Sequence, residues 1–264
     1  MAQSPVRVSK HPVGRYSIWE IVLNRPEVHN AVDGPSAEIL SHAWREFRDD
    51  DSLAVAILRG EGDHAFCAGA DLKGLAGLAS LSGGDSQDIH RDGPMGGTRI
   101  VQTKPVITIS QGFTYAGGLE LFCHGHIRLA EPQATFSVAC RRWGVPLLDG
   151  GTVYLPRLLG WGSALPLIIT GQKIDADRAH QIGLVWEIVP KGAGIARAFR
   201  MAEQIAKLPQ DCLRADLTSA LLGLNESMTI ALAREADNLA PVMASESTRQ
   251  GVQDFIAGKR FWFE

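Results

Sequence analysis

Apolar positions along the chain follow two rhythms, short runs that alternate or stay unbroken and longer stretches at helical spacing, and the switches between them mark the elements. Tyr16–Leu23 alternates loosely and is rich in Ile, Val and Trp, which predicts a strand stopped by Asn24-Arg25-Pro26. Asp33-Gly34-Pro35-Ser36 has the residues of a helix start, and Ile39, Leu40, Ala43, Trp44 and Phe47 continue it to the acidic run Asp49–Asp51. Leu53–Leu58 is an unbroken apolar run of strand length, Val106-Ile107-Thr108-Ile109 reads as a buried strand, and Gly125–Ala130 and Ala134–Val138 read as two further strands. From about residue 160 the pattern is mostly helical: Ser163–Thr170, Asp175–Ile182, Gly194–Leu208, Leu213–Leu222, Ile230–Leu239 and Pro241–Ala257, with one strand at Leu184–Val189. No linker rich in Pro and Ser divides the chain, so the expectation is an α/β core over residues 1–190 and a helical C-terminal region over 191–264.

Two glycine turns interrupt this pattern. In Ser110–His124 a buried strand gives way to Gly112, Gly117 and Gly118 and then to Leu119, Leu121 and Phe122. A helix opening near Gly117 leaves its first N–H groups unpaired, and such an end favours negative charge. Two readings stand. One is half an oxyanion hole with Glu120 one turn away as an acid or base; the other is a packing turn with a surface glutamate. Ala65–Lys73 repeats the order of buried strand, small-residue turn and acidic helix start. Residues 77–97 hold six glycines among Ser, Asp and Gln and read as a mobile loop, a candidate lid.

Composition narrows the field. With 264 residues, 45% of them hydrophobic and 21% charged, the chain can build a sizeable core. A net charge of −3 argues against nucleic acid as a partner. No run approaches the roughly 18 apolar residues of a membrane span, and the N-terminus lacks a leader-like apolar stretch, so a cytoplasmic protein is expected. Cys67, Cys123, Cys140 and Cys212 show no CxxC spacing and read as reduced thiols. His124 and His126 have no third ligand nearby, so no metal is expected and the pair reads as a helix C-terminal turn. Arg141 and Arg142 could favour a thiolate at Cys140, against the plainer reading of a small buried residue. Asp149, ahead of Val153, Leu155, Leu158 and Leu159, reads as a helix N-cap. The tail Gly258–Phe263, basic and aromatic, reads as a docking element for a partner subunit or ligand.

Taken in order, these pieces resemble the enoyl-CoA hydratase/isomerase, or crotonase, family over nearly the whole chain. The resemblance lies in Asn24-Arg25-Pro26-Glu27-Val28-His29-Asn30-Ala31, in Phe66-Cys67-Ala68-Gly69-Ala70-Asp71-Leu72 and in Gly117-Gly118-Leu119-Glu120. It continues through Gly144-Val145-Pro146, Gly150-Gly151, Leu155-Pro156-Arg157 and Gly183–Pro190. It implies a spiral of ββα units with a helical C-terminal trimerisation region, assembled as a homotrimer or a dimer of trimers. It implies an acyl-CoA thioester as substrate, coenzyme A being part of that substrate and no further cofactor being needed. The N–H groups of Ala70 and Gly117 would form the oxyanion hole, with Ala68, Asp71 and Leu72 on the same binding loop. Arg25 and Lys259 would contact the nucleotide end. Glu120 matches the first of the two glutamates that hydratases of this family use; the second falls at Cys140. A thiol of ordinary pKa about 8.5 is a poor substitute for a carboxyl that moves protons at neutral pH. Asp149 is the candidate replacement. The resemblance implies enoyl-CoA hydration, with isomerisation, thioester hydrolysis or acyl-CoA binding without turnover as alternatives.

Overall fold

The computed structural model describes residues 3–74 and 92–260. Strand β1 (Val6–Val13) turns back through Gly14 into β2 (Tyr16–Leu23), an antiparallel pair that opens the larger sheet. β1 has no counterpart in the sequence reading. It lies at a sheet edge with most of its side chains outside the core, so the apolar signal that reveals a strand is weak there. Helix α1 (Gly34–Asp49) follows. The Asp33 carboxylate caps it by accepting from Ser36 N at 2.9 Å, and Leu40, Ala43, Trp44 and Phe47 form its buried face.

The chain then advances in pairs of strands. β3 (Leu53–Gly60) joins the large sheet and β4 (Ala65–Cys67) a smaller one; β5 (Val106–Ser110) and β6 (Phe113–Tyr115) do the same, as do β7 (Ile127–Ala130) and β8 (Thr135–Ser137). Each strand lies parallel to its counterpart from the previous pair. Helix α2 (Gly117–Cys123) follows the second pair and α3 (Gly151–Thr170) the third. The small sheet ends in β9 (Ile174–Asp175), antiparallel to β8, and after α4 (Ala176–Gln181) the large sheet ends in β10 (Glu187–Ile188), shorter than the expected strand. This is a spiral of ββα units, as the sequence resemblance implies.

Period-two alternation gives the large sheet two buried faces. Val55, Ile57, Ile107 and Ile109 meet Ala198, Met201, Ala202 and Ile205 of α5 (Gly194–Ala206). Ala56, Leu58 and Val106 belong to the cluster that includes Trp44, Phe47 and Phe122 of α1 and α2. The last three helices, α6 (Gln210–Gly223), α7 (Met228–Met243) and α8 (Glu246–Ile256), bury almost nothing within the chain. α7 continues past Pro241 and breaks at Ser245, so the single helix expected from Pro241 to Ala257 is two elements. α3 is long and apolar enough to cross a membrane by length and composition, but Gly160 breaks its dihedrals and Leu155, Ala164 and Leu167 pack inward.

Most of the glycine-rich stretch at 77–97 lies outside the described residues. From Gly93 to Thr98, however, the chain is buried rather than solvated. A Cβ on Gly96 would fall 2.0 Å from the carbonyl oxygen of Ala37, so glycine here permits packing on α1.

Candidate active site

The small sheet brings the two glycine turns together. β4 and β6 are parallel neighbours, so the chain leaves both at the same edge, as Ala68–Asp71 and as Ala116–Gly117. A Cβ on Gly69 would lie 3.1 Å from Gly117 N. Residue Ala116 holds φ 52 and ψ −124, a conformation that costs a residue with a Cβ on the order of 1–3 kcal/mol and is kept only where the surroundings enforce it. Ala70 and Gly117 line one cavity of about 600 Å³ with Ala68, Leu72, Glu120, Cys140 and Asp149. Neither the Ala70 nor the Gly117 N–H has a hydrogen-bond partner among the described residues, although their neighbours do: Asp71 N donates to Val32 O and Ala116 N to Ser137 O. Two free backbone donors at one cavity wall form a site for an oxygen carrying negative charge.

Opposite chemistry lines the same cavity. Glu120 is buried in α2, and its Oε1 accepts from Asp149 N at 2.9 Å and from Gly151 N at 2.7 Å. One oxygen is anchored; Oε2 has no protein partner among the described residues. Burial pushes the Glu120 pKa up to about 8, the Asp149 charge adds to the rise, and the two N–H bonds only partly offset it. Asp149 is buried too, and its Oδ1 accepts from Met95 N at 2.9 Å and from Thr98 Oγ1 at 2.6 Å. Its pKa is also raised by burial, while the bonds from Thr98 and Met95 and the charge of Arg99 pull it down. Glu120 thus keeps a proton near neutral pH, while Asp149 is held by a different set of donors.

This arrangement can be set beside known proteins. A family model described as enoyl-CoA hydratase/isomerase matches residues 14–264. The chain belongs to the enoyl-CoA hydratase/isomerase family. It is 30% identical over 244 residues to the crotonyl-CoA hydratase of Syntrophomonas wolfei, covering 91% of this chain and 92% of that one. It is 32% identical to the carnitinyl-CoA dehydratase of Proteus mirabilis, covering 75% and 74%. Among solved structures, the enoyl-CoA hydratase EchA1 of Mycobacterium marinum superposes with a TM-score of 0.88 at 26% identity, covering 97% of each chain. An enoyl-CoA hydratase of Mycobacterium tuberculosis H37Rv gives 0.87 at 28%, covering 99% of each.

Within the enoyl-CoA hydratase/isomerase family, the departures of this chain become specific. Cys140 reaches the cavity wall from the 3-10 turn Ala139–Trp143, but burial and the Glu120 charge raise its pKa against the pull of Arg141. The thiolate that Arg141 and Arg142 could have favoured is therefore not formed. Asp149 is not the N-cap of α3 either. That position belongs to Gly150, and the Asp149 side chain turns away from the helix to Met95 and Thr98. Ala68, Ala70, Leu72, Gly117, Glu120 and Asp149 converge on the cavity, whereas Arg25, Asp71 and Lys259 do not line it. Lys259 instead pairs with Asp254 at 2.8 Å, and the tail beyond Arg260 is outside the described residues. His124 and His126 separate, as a helix C-terminal turn requires. His124 Nε2 bonds Ile100 O, while His126 Nδ1 accepts from Val106 N. Sequence reading passed over Met95 and Thr98, which bond Asp149 from the end of the glycine-rich stretch and just beyond it and carry no motif of their own.

Proposed function

We propose that the protein hydrates the double bond of a 2-enoyl-CoA thioester, with Ala70 and Gly117 N–H as the oxyanion hole, Asp149 as base and Glu120 as acid. The observation that carries this reading is the pair of unpartnered N–H groups in the same cavity as two buried carboxyls, each held on one oxygen by its own pair of donors. Asp149 takes a proton from water as its oxygen bonds to Cβ. The π electrons move to the thioester oxygen, where the two N–H groups hold the enolate. Glu120 then gives its proton to Cα, the carbonyl re-forms, and the proton on Asp149 returns to Glu120 between turnovers. Net, one water is added. Coenzyme A enters as part of the substrate, no other cofactor is needed, and we read the enzyme as cytoplasmic.

The test is loss of the conjugated enoyl absorbance of crotonyl-CoA and longer 2-enoyl-CoAs. Asp149→Asn keeps an oxygen acceptor for Thr98 and Met95 but removes the base, so kcat falls about 10²-fold with KM little changed. Unchanged kcat in Asp149→Asn would leave Asp149 only the task of holding residues 93–98. Tight acyl-CoA binding with no product at any chain length would make the protein a binder rather than an enzyme. Cys140 at the position expected for a second glutamate favours one rival, enoyl-CoA isomerisation, which needs a single proton carrier; conversion of a 3-enoyl-CoA to its 2-enoyl isomer detects it.

We also read the protein as a homotrimer or a dimer of trimers. Met228, Met243, Phe255 and Ile256 on α7 and α8 are each more than 70% exposed in the single chain, an apolar surface that self-association would cover. Mass photometry is expected to give species of three or six chains, and a monomer at micromolar concentration overturns this.

A further inference from the structure

We propose that Arg25 is a positioning residue for the oxyanion hole: its ion pair with Asp71 sets the direction of the Ala70 N–H. The inference rests on the oxyanion role given to Ala70 above. Residues 68–71 run beside residues 29–32 through Ala68 N to His29 O at 3.0 Å, Val32 N to Gly69 O at 2.9 Å and Asp71 N to Val32 O at 2.8 Å. Gly69 O and Asp71 N both face Val32, so the Ala70 N–H between them faces away from Val32, and Ala70 lines the cavity; Gly69, at φ 103, sets the turn that precedes it. This pairing is an isolated bridge outside any strand, and His29 and Asn30 beside it hold positive φ, so the two loops need an external tie.

Arg25 supplies it. Its guanidinium contacts Asp71 Oδ2 at 3.0 Å and Asp33 Oδ2 at 3.2 Å, and donates to Ala31 O at 2.8 Å. The three charged side chains are less than a quarter exposed, so screening weakens the pairs less than at an open surface. One guanidinium thus links the oxyanion loop, the facing loop and the cap of α1. With two carboxylates already on it, and no place on the cavity wall, it is poorly disposed to be the coenzyme contact that the family resemblance implies.

The experiment compares wild type with Arg25→Met, Arg25→Lys, Asp71→Asn and the Met/Asn double variant. The readouts are kcat and KM for crotonyl-CoA, the shift of cinnamoyl-CoA absorbance to longer wavelength on binding, and hydrogen exchange of residues 66–74 without ligand. A misplaced oxyanion donor lowers kcat about 10- to 100-fold. Arg25→Met and Asp71→Asn should each do so with KM within about threefold, lose the absorbance shift and speed exchange in the segment; the double variant should be no worse than either, and Arg25→Lys should recover part. A KM rise of about tenfold at constant kcat in Arg25→Met, with Asp71→Asn neutral, would instead mark a coenzyme contact and overturn the proposal. Exchange unchanged in both single variants overturns it as well. If Arg25→Met does not fold, the near-isosteric Asp71→Asn decides alone. Failure of the oxyanion reading itself is separate: wild type would then produce neither turnover nor an absorbance shift, while the exchange comparison would still report on the clamp.

Discussion

Glu120→Gln is expected to lower kcat for enoyl-CoA hydration by about 10²- to 10⁴-fold while making the protein more stable at alkaline pH. The glutamine oxygen can still accept from Asp149 N and Gly151 N, so the fold keeps its anchor, but no proton is left to give to Cα. The stability effect follows from linkage. Glu120 has its folded pKa raised to about 8 from 4.5, so the folded state holds a proton that the unfolded state has already lost. Stability from this group is full below about pH 4.5 and declines as pH rises through about 8, by an amount of order a few kcal/mol. The amide never ionises, so the variant should gain relative to wild type across that window and level off above it. Urea unfolding from pH 5 to 9 reads this directly. With Glu120 as the acid, wild-type kcat/KM falls as pH rises through about 8, and the residual activity of the variant lacks that limb. Equal rates in the two proteins would remove Glu120 from the chemistry, and a stability difference independent of pH would remove the buried proton.

Gly118→Ala should be the most damaging single methyl group at the site. A Cβ there falls 2.1 Å from the carbonyl oxygen of Cys67 and 2.8 Å from its Cβ. The obstacle is backbone, so no rotamer relieves it. β4 and α2 must move apart, and next to them lie the two proposed oxyanion donors, Ala70 three residues after Cys67 and Gly117 just before Gly118. A shift of about 1 Å between reacting groups can cost 10²-fold, and forced overpacking typically costs about 1–3 kcal/mol. The expectation is therefore a drop of both sizes, in kcat and in denaturant midpoint. Wild-type turnover together with wild-type melting would show that the turns do not work as one rigid unit.

Elements with a strong period were legible in the sequence. α1, β3 and β5 lie where helically spaced or mainly apolar runs predict them, because burial on one or both faces writes itself into the residue pattern. β1 left little trace, since an edge strand with one well-buried residue has no such pattern to impose. Gly117 and Ala70 were readable as turns, and Gly117 as a helix start with unpaired N–H groups; pairing the two as proposed donors came from the family resemblance, because backbone N–H groups leave no side-chain signature. Asp149 was misread as a cap for the opposite reason: an acid ahead of a helix is the usual cap signature, and nothing local tells where its side chain turns.

The spiral of ββα units came from the family resemblance; the residues themselves determined the α/β class, the two small-residue turns and Glu120. These are local or periodic properties, set by which residues can turn, pair or be buried. Only the tertiary structure decided that both turns leave the same sheet edge, that Thr98 and Met95 orient Asp149, and that Glu120 keeps its proton near neutral pH. Those outcomes depend on burial and on contacts between residues far apart in the chain, 51 positions between Thr98 and Asp149 and 29 between Glu120 and Asp149. A proton's affinity is set by such surroundings, and they exist only once the chain has folded.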